Sequence, residues 1–223
     1  MLLHKLDSEF LKYLIDRRVG PGERLPTLNQ ISEELGISVG KLREQLEVAR
    51  SLGLVSVKTR TGIQREAFDF APAVLTAVLF GLGTGEIQFS QFSELRRIVE
   101  KSMWSPAVTL LTPEDKAELR RLVEQAWDKL RGEPIHVPNG EHRQFHMTIY
   151  RHLDNPFVLG LLSAYWDAYE AAELTRFMNY QYWLDVWTYH ERIVEALEAN
   201  AFDQGLVLLT EHFSLLPAAP VTT

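Results

Sequence analysis

Cysteine is absent from the 223 residues, which excludes a disulfide framework, thiolate metal ligands and thiol chemistry. No apolar run approaches the roughly 20 residues that a membrane-spanning helix needs, and the opening MLLHKLDSEF lacks the layout of a signal peptide. A soluble, cytoplasmic protein that engages no membrane is expected. Positive charge is also scarce: the formal net charge is −7, which argues against indiscriminate nucleic-acid binding. The deficit is uneven, however. Residues 1–66 hold 11 Lys/Arg against 9 Asp/Glu, and residues 67–223 hold 12 against 21. With 46% hydrophobic residues, the chain has material for a sizeable core and fits two domains with different tasks.

What is present begins with PTLNQISEELGISVGKLREQLEVARSLG, from Pro26 to Gly53. Thr27 followed three residues later by Gln30 is a capping-box pattern, and Leu28, Ile31 and Leu35 then share one helical face. Gly36 supplies the left-handed residue that stops a helix. Ser38 caps a second helix whose stripe is Leu42, Leu46 and Ala49, with a buried Ile37 pinning the crossing of the pair. The pattern predicts a helix-turn-helix, whose second helix enters the DNA major groove, although an ordinary corner of two helices would carry the same local signals. Leu54 to Arg65 then reads as strand, polar turn and strand. A hairpin in that place is a wing, and Lys58, Arg60 and Arg65 put positive charge on it for phosphates.

Before this pair, a helix is predicted over 4–18, stopped by Gly20-Pro21-Gly22. Beyond Arg65 the strand signal ends. Helices are predicted from about Ala71 into the run Gly81-Leu82-Gly83-Thr84-Gly85, and over 87–108 with Pro106 as a kink or break. Thr112-Pro113-Glu114-Asp115 marks a further start, for a helix running to about Leu130. Others follow over 141–152, 155–179, 182–199 and 201–215. The expected fold class is mainly α: an N-terminal winged helix-turn-helix followed by an all-α bundle whose apolar stripes bury one another.

Four histidines fall in the second half of that bundle. His142 and His146 are four apart, so both project from one helical face. His190 and His212 lie on later helices. Neutral imidazoles converging from three helices suit a borderline divalent ion such as Zn²⁺ or Ni²⁺. The same spacing also arises by chance, as buried or surface histidines that bind nothing.

Two sets of residues carry a family resemblance. Pro21-Gly22-Glu23-Arg24-Leu25-Pro26-Thr27, then Leu42-Arg43-Glu44-Gln45-Leu46, then Gly53-Leu54-Val55, resemble the DNA-binding domain of the GntR family of bacterial transcriptional regulators. Glu94-Leu95-Arg96-Arg97-Ile98-Val99-Glu100, Phe145-His146, Asn155-Pro156, His190 in HERIVEAL, and His212 resemble the ligand-sensing FCD domain of its FadR-like branch. The resemblance implies a winged-helix domain over 1–66, a linker and connecting helix over 67–85, and a ligand-binding and dimerisation domain over 86–216. It implies a dimer on a double-stranded operator, with Thr27, Asn29, Ser38, Lys41, Arg43, Lys58, Arg60, Thr61 and Gly62 facing DNA. It further implies a divalent metal held by His146, His190 and His212, and a small-molecule effector, commonly an organic acid, paired with Arg96.

The chain departs from the family at three places. The residue four before the first histidine, an aspartate in metal-binding members, is His142, which removes a negative charge and favours softer ions. Val39 and Asn29 stand where arginines usually contact DNA, so an operator typical of the family is expected to bind poorly. Arg96 also has another reading, as a surface arginine paired with Glu100. Two alternatives to a regulator follow: a helical metalloenzyme using the histidines with Glu141 as base, or a ligand-binding module that has lost operator recognition.

Overall fold

The computed structural model describes residues 5–60, 62–173, 175 and 178–215. The chain divides into two compact units, Met1–Val74 and Leu75–Thr223. Among the described residues no helix is long and apolar enough to cross a membrane.

The first unit contains α1 (Glu9–Asp16), α2 (Leu28–Leu35), α3 (Val39–Ser51), β1 (Val55–Lys58) and β2 (Gly62–Arg65). Its local signals act as their chemistry demands. Thr27 Oγ1 accepts from Gln30 N while Gln30 Oε1 accepts from Thr27 N, which closes the capping box. Gly36 takes φ +65°, and Ser38 Oγ accepts from Lys41 N at 3.2 Å to open α3. The strands pair antiparallel, with Val55 opposite Arg65 and Lys58 opposite Gly62. Phe10, Ile31, Leu42, Leu46, Ala49, Val55 and Ile63 form the core. Ile37 is half-buried rather than buried, packed on the margin of that core.

Helix α1 is shorter than the predicted 4–18. Ser8 caps it, and Arg18 ends the turn in a left-handed conformation, φ +51°. A side chain of α3 also holds its start: Gln45 Oε1 accepts from Ser8 Oγ at 3.1 Å and from Phe10 N at 2.8 Å.

Helix α4 (Ala71–Thr84) continues through the first glycines of its run and stops at Gly85, φ +73°. Then come α5 (Phe89–Val108), α6 (Pro113–Arg131), α7 (Asn139–Tyr150), α8 (Pro156–Ala171), α9 (Tyr180–Glu198) and α10 (Phe202–His212), with a short 3-10 turn over Phe213–Leu215. Pro106 falls in the last turn of α5 without ending it. Helix α5 packs on α7, α8 and α10, and α6 packs on α7 and α9. Trp104, Leu122, Phe145, Tyr150, Trp183, Trp187 and Leu209 are among the side chains buried between them.

The predicted helix over 155–179 is corrected. Helix α8 ends at Ala171, Glu173 is left-handed with φ +49°, and α9 starts at Tyr180 behind Asn179, whose side chain accepts from Tyr182 N at 2.8 Å. No glycine or proline occurs between Gly160 and Gly205, so the turn rests on an acidic residue in a conformation that sequence periodicity does not betray.

Candidate metal centre and nucleic-acid interface

Three helices of the second unit aim imidazoles at one point in its interior. Helix α7 supplies His142 and His146, α9 supplies His190, and α10 ends on His212. All four are buried, and each offers a ring nitrogen within 4.8 Å of the others. His146 Nε2 and His190 Nε2 lie 3.3 Å apart. That is close to the ~3.3 Å between two imidazole nitrogens on one tetrahedral zinc ion with Zn–N of about 2.0–2.1 Å.

Burial, then the neighbouring imidazoles and Arg96, holds His142 and His190 well below the usual imidazole range. Burial followed by Arg96 does the same for His146, and for His212 burial leads, with His146 and Arg96 behind it. The rings are therefore neutral, with lone pairs available. Both nitrogens of His142 and the Nδ1 atoms of His190 and His212 are buried without a hydrogen-bond partner among the described residues. Orphaned polar atoms are costly in a dry interior. A cation would accept one lone pair from each ring, at the nitrogen that faces the cluster, so the donor set fits a divalent ion.

The charged groups beside the cluster come from α5. Arg96 is 1% exposed and Glu100 is fully buried; Arg96 Nε donates to Glu100 Oε1 at 2.5 Å. Arg96 is thus a core residue, not the surface arginine of the alternative reading, although the pairing with Glu100 is real. The guanidinium lies against the rings of Trp166 at 4.5 Å, Tyr165 at 4.6 Å and Phe213 at 5.3 Å. Burial works against its charge, but Glu100 overcomes this and raises the Arg96 pKa. Burial pushes the Glu100 carboxyl up, opposed by Arg96. One donor nitrogen, Arg96 Nη2, has no partner among the described residues.

Glu100 Oε2 also lies 2.9 Å from His146 Nδ1. This contact was not anticipated. The signal was the Arg96/Glu100 spacing of four, which reads alike on a surface or in a core. The other acids and histidines near the pattern stay outside: His136 is exposed, and Glu141 pairs with Lys129 at 2.7 Å.

In the first unit, Thr27, Asn29, Ser38, Lys41, Arg43, Lys58 and Arg60 are all exposed, and Gly62 is half-buried. Thr61 lies outside the described residues. The Thr27 hydroxyl is engaged in the capping box, donating to Gln30 Oε1 at 2.8 Å, and Ser38 Oγ is engaged in capping α3. Val39 opens α3, and Arg43 lies one turn further on. Arg24 adds a basic group at the wing: its Nε lies 3.5 Å from where a Cβ on Gly62 would sit, and its backbone bridges to Gln64.

A winged helix-turn-helix followed by an all-helical bundle with an enclosed polar centre defines the architecture of a DNA-binding regulator with a sensor domain. Comparison with known proteins makes this specific. The sequence matches the FCD domain over residues 91–215 and the bacterial regulatory proteins of the gntR family over residues 9–64. The chain belongs to the GntR family of bacterial transcriptional regulators, in the branch that carries an FCD domain. It is 33% identical over 149 residues to the HTH-type transcriptional regulator McbR of Escherichia coli (strain K12), an alignment covering 66% of this chain and 58% of McbR. The chain therefore matches less than two thirds of that relative's length. The Streptococcus agalactiae GntR structure superposes with a TM-score of 0.64 at 17% identity, covering 92% of this chain and 94% of that one, which shows a shared fold. Family membership replaces the metalloenzyme alternative.

Proposed function

We propose that this chain is a homodimeric, ligand-responsive regulator that binds a two-fold operator in the cytoplasm and senses a small organic acid beside a divalent metal. The observation that carries the reading is the buried four-histidine cluster with orphaned nitrogens, in the same chain as a helix-turn-helix whose basic side chains are exposed. His142, His146, His190 and His212 would hold the ion, with Zn²⁺ or Ni²⁺ favoured over hard cations by an all-imidazole set. With four imidazoles on the ion, a fifth coordination position would supply the Lewis-acidic site for an oxygen of the effector.

The charges in the site support an anionic effector. Four neutral imidazoles leave the ion's charge uncompensated, and Glu100 already balances Arg96. The unpartnered Arg96 Nη2 offers a donor to a carboxylate oxygen. Lys41, Arg43, Lys58 and Arg60 would carry the DNA contacts. Two copies side by side supply the two recognition helices that half-site spacing requires. Effector binding would shift the relative placement of the DNA-binding heads.

Fluorescence anisotropy with DNA from upstream of the protein's own gene tests this reading, with Zn²⁺ or a chelator present and across a salt series. Saturable, sequence-dependent binding that weakens with salt is expected. Equal affinity for unrelated DNA, or no sequence enriched from a random pool, would favour the module that has lost operator recognition.

A further inference from the structure

Glu100 is not one of the nitrogen donors, yet it touches the set. Its two oxygens face different partners: Oε1 accepts from Arg96 Nε at 2.5 Å, and Oε2 lies 2.9 Å from His146 Nδ1. Its backbone carbonyl accepts from the Tyr150 hydroxyl at 2.9 Å, which ties this turn of α5 to the helix that carries His146. A carboxylate accepts but does not donate. Beside Arg96, Glu100 therefore requires the hydrogen of His146 to sit on Nδ1, and Nε2 is left with its lone pair. Nε2 is the atom that faces His190 inside the cluster.

Resting on the metal-centre reading above, we propose that Glu100 is the positioning residue of the four-histidine site. It fixes His146 as the Nδ1–H tautomer and directs Nε2 toward the ion. The other histidines lack such a partner among the described residues. His142 has neither ring nitrogen bonded and is oriented by packing on Trp166 and Trp183, with ring centroids 4.8 and 5.9 Å away. Removal of an outer carboxylate of this kind typically weakens metal binding by about 10–100-fold.

Two measurements on the full chain test the proposal: ¹⁵N-histidine NMR without metal, and Zn²⁺ affinity by competition with a chromophoric chelator. The wild type is expected to show His146 protonated on Nδ1, and Glu100→Gln to bind Zn²⁺ about 10–100-fold more weakly. Because Glu100→Gln leaves Arg96 charged and unpaired in the core, the paired replacement R96M/E100L is measured beside it. That variant removes both charges at similar volume, and it should lose affinity to the same degree while keeping its far-UV circular dichroism. A wild-type His146 protonated on Nε2, or an R96M/E100L variant binding Zn²⁺ within about threefold of wild type, overturns the proposal. If the wild type takes up no Zn²⁺, the metal-centre reading falls, and the NMR result alone decides whether Glu100 positions His146.

Discussion

Replacing Gly205 with alanine sets two effects of known size against each other. Glycine in a helix interior is about 0.8–1.0 kcal/mol worse than alanine, so Gly205→Ala within α10 would ordinarily stabilise. Here a Cβ at position 205 would lie 2.6 Å from Trp104 Cζ2. Trp104 is 1% exposed, and its indole N–H donates to Phe202 O at 2.9 Å, so the ring is held from both sides. Overpacking of a filled core costs about 1–3 kcal/mol, which outweighs the propensity gain when the neighbour cannot yield. The expected outcome is a net loss of up to about 2 kcal/mol. For a domain of this size that lowers Tm by up to roughly 8 °C. The five tryptophans, Trp104, Trp127, Trp166, Trp183 and Trp187, all belong to the second unit, so selectively excited tryptophan fluorescence follows its unfolding alone. Gly140→Ala on α7 is the control, because nothing lies within 4 Å of its Cβ position, and it should be neutral or slightly stabilising. A Gly205→Ala protein that melts at or above the wild-type temperature would refute the packing argument.

Other consequences follow from the same geometry. Metal-free protein should lose stability on acidification: the four imidazoles are held below their ordinary value of 6.5 in the fold, whereas the unfolded chain takes up protons there. Their contribution is complete above that pH and lost as pH falls below it, so the urea midpoint with chelator should be lower at pH 5.5 than at pH 7.5; an unchanged midpoint would contradict buried neutral rings. Zn²⁺ held at 100 times its Kd should add about 2.7 kcal/mol, and His212→Ala should abolish most of that gain; equal Tm increases in both proteins would remove His212 from the site. Val39→Arg should introduce a guanine preference of about 1–3 kcal/mol at one position per half-site, visible as a changed consensus from a random DNA pool. The same consensus for both proteins would mean that residue 39 does not meet a base.

The first unit was legible because its instructions are local. Thr27 and Gln30, Gly36, and Ser38 each act within four residues of themselves, and the structure uses each as its chemistry suggests. The pairing of His142 with His146 was legible for the same reason, since spacing on a helix fixes a shared face. Their meeting with His190 and His212 depends on how three helices cross, so spacing offered it as one of two readings and the family resemblance favoured it. Glu100 was the harder case: a carboxylate four residues after an arginine looks the same at 0% exposure as on an open surface. The end of α8 was missed because Glu173 turns the chain without glycine or proline.

The hydrogen bonds from Ser8 and Phe10 to Gln45 limit how this protein's operator preference can evolve. Leu42, Leu46 and Ala49 are committed to the core and Gln45 to anchoring α1, so these positions of α3 are not free to drift toward a new sequence. In the first turns of α3, the half-buried Val39 and the exposed Gly40, Lys41, Arg43 and Glu44 carry no such commitment. On the proposed reading of α3 as the recognition helix, a descendant lineage would acquire a new target by exchanging those few side chains while the scaffold beneath them is inherited unchanged.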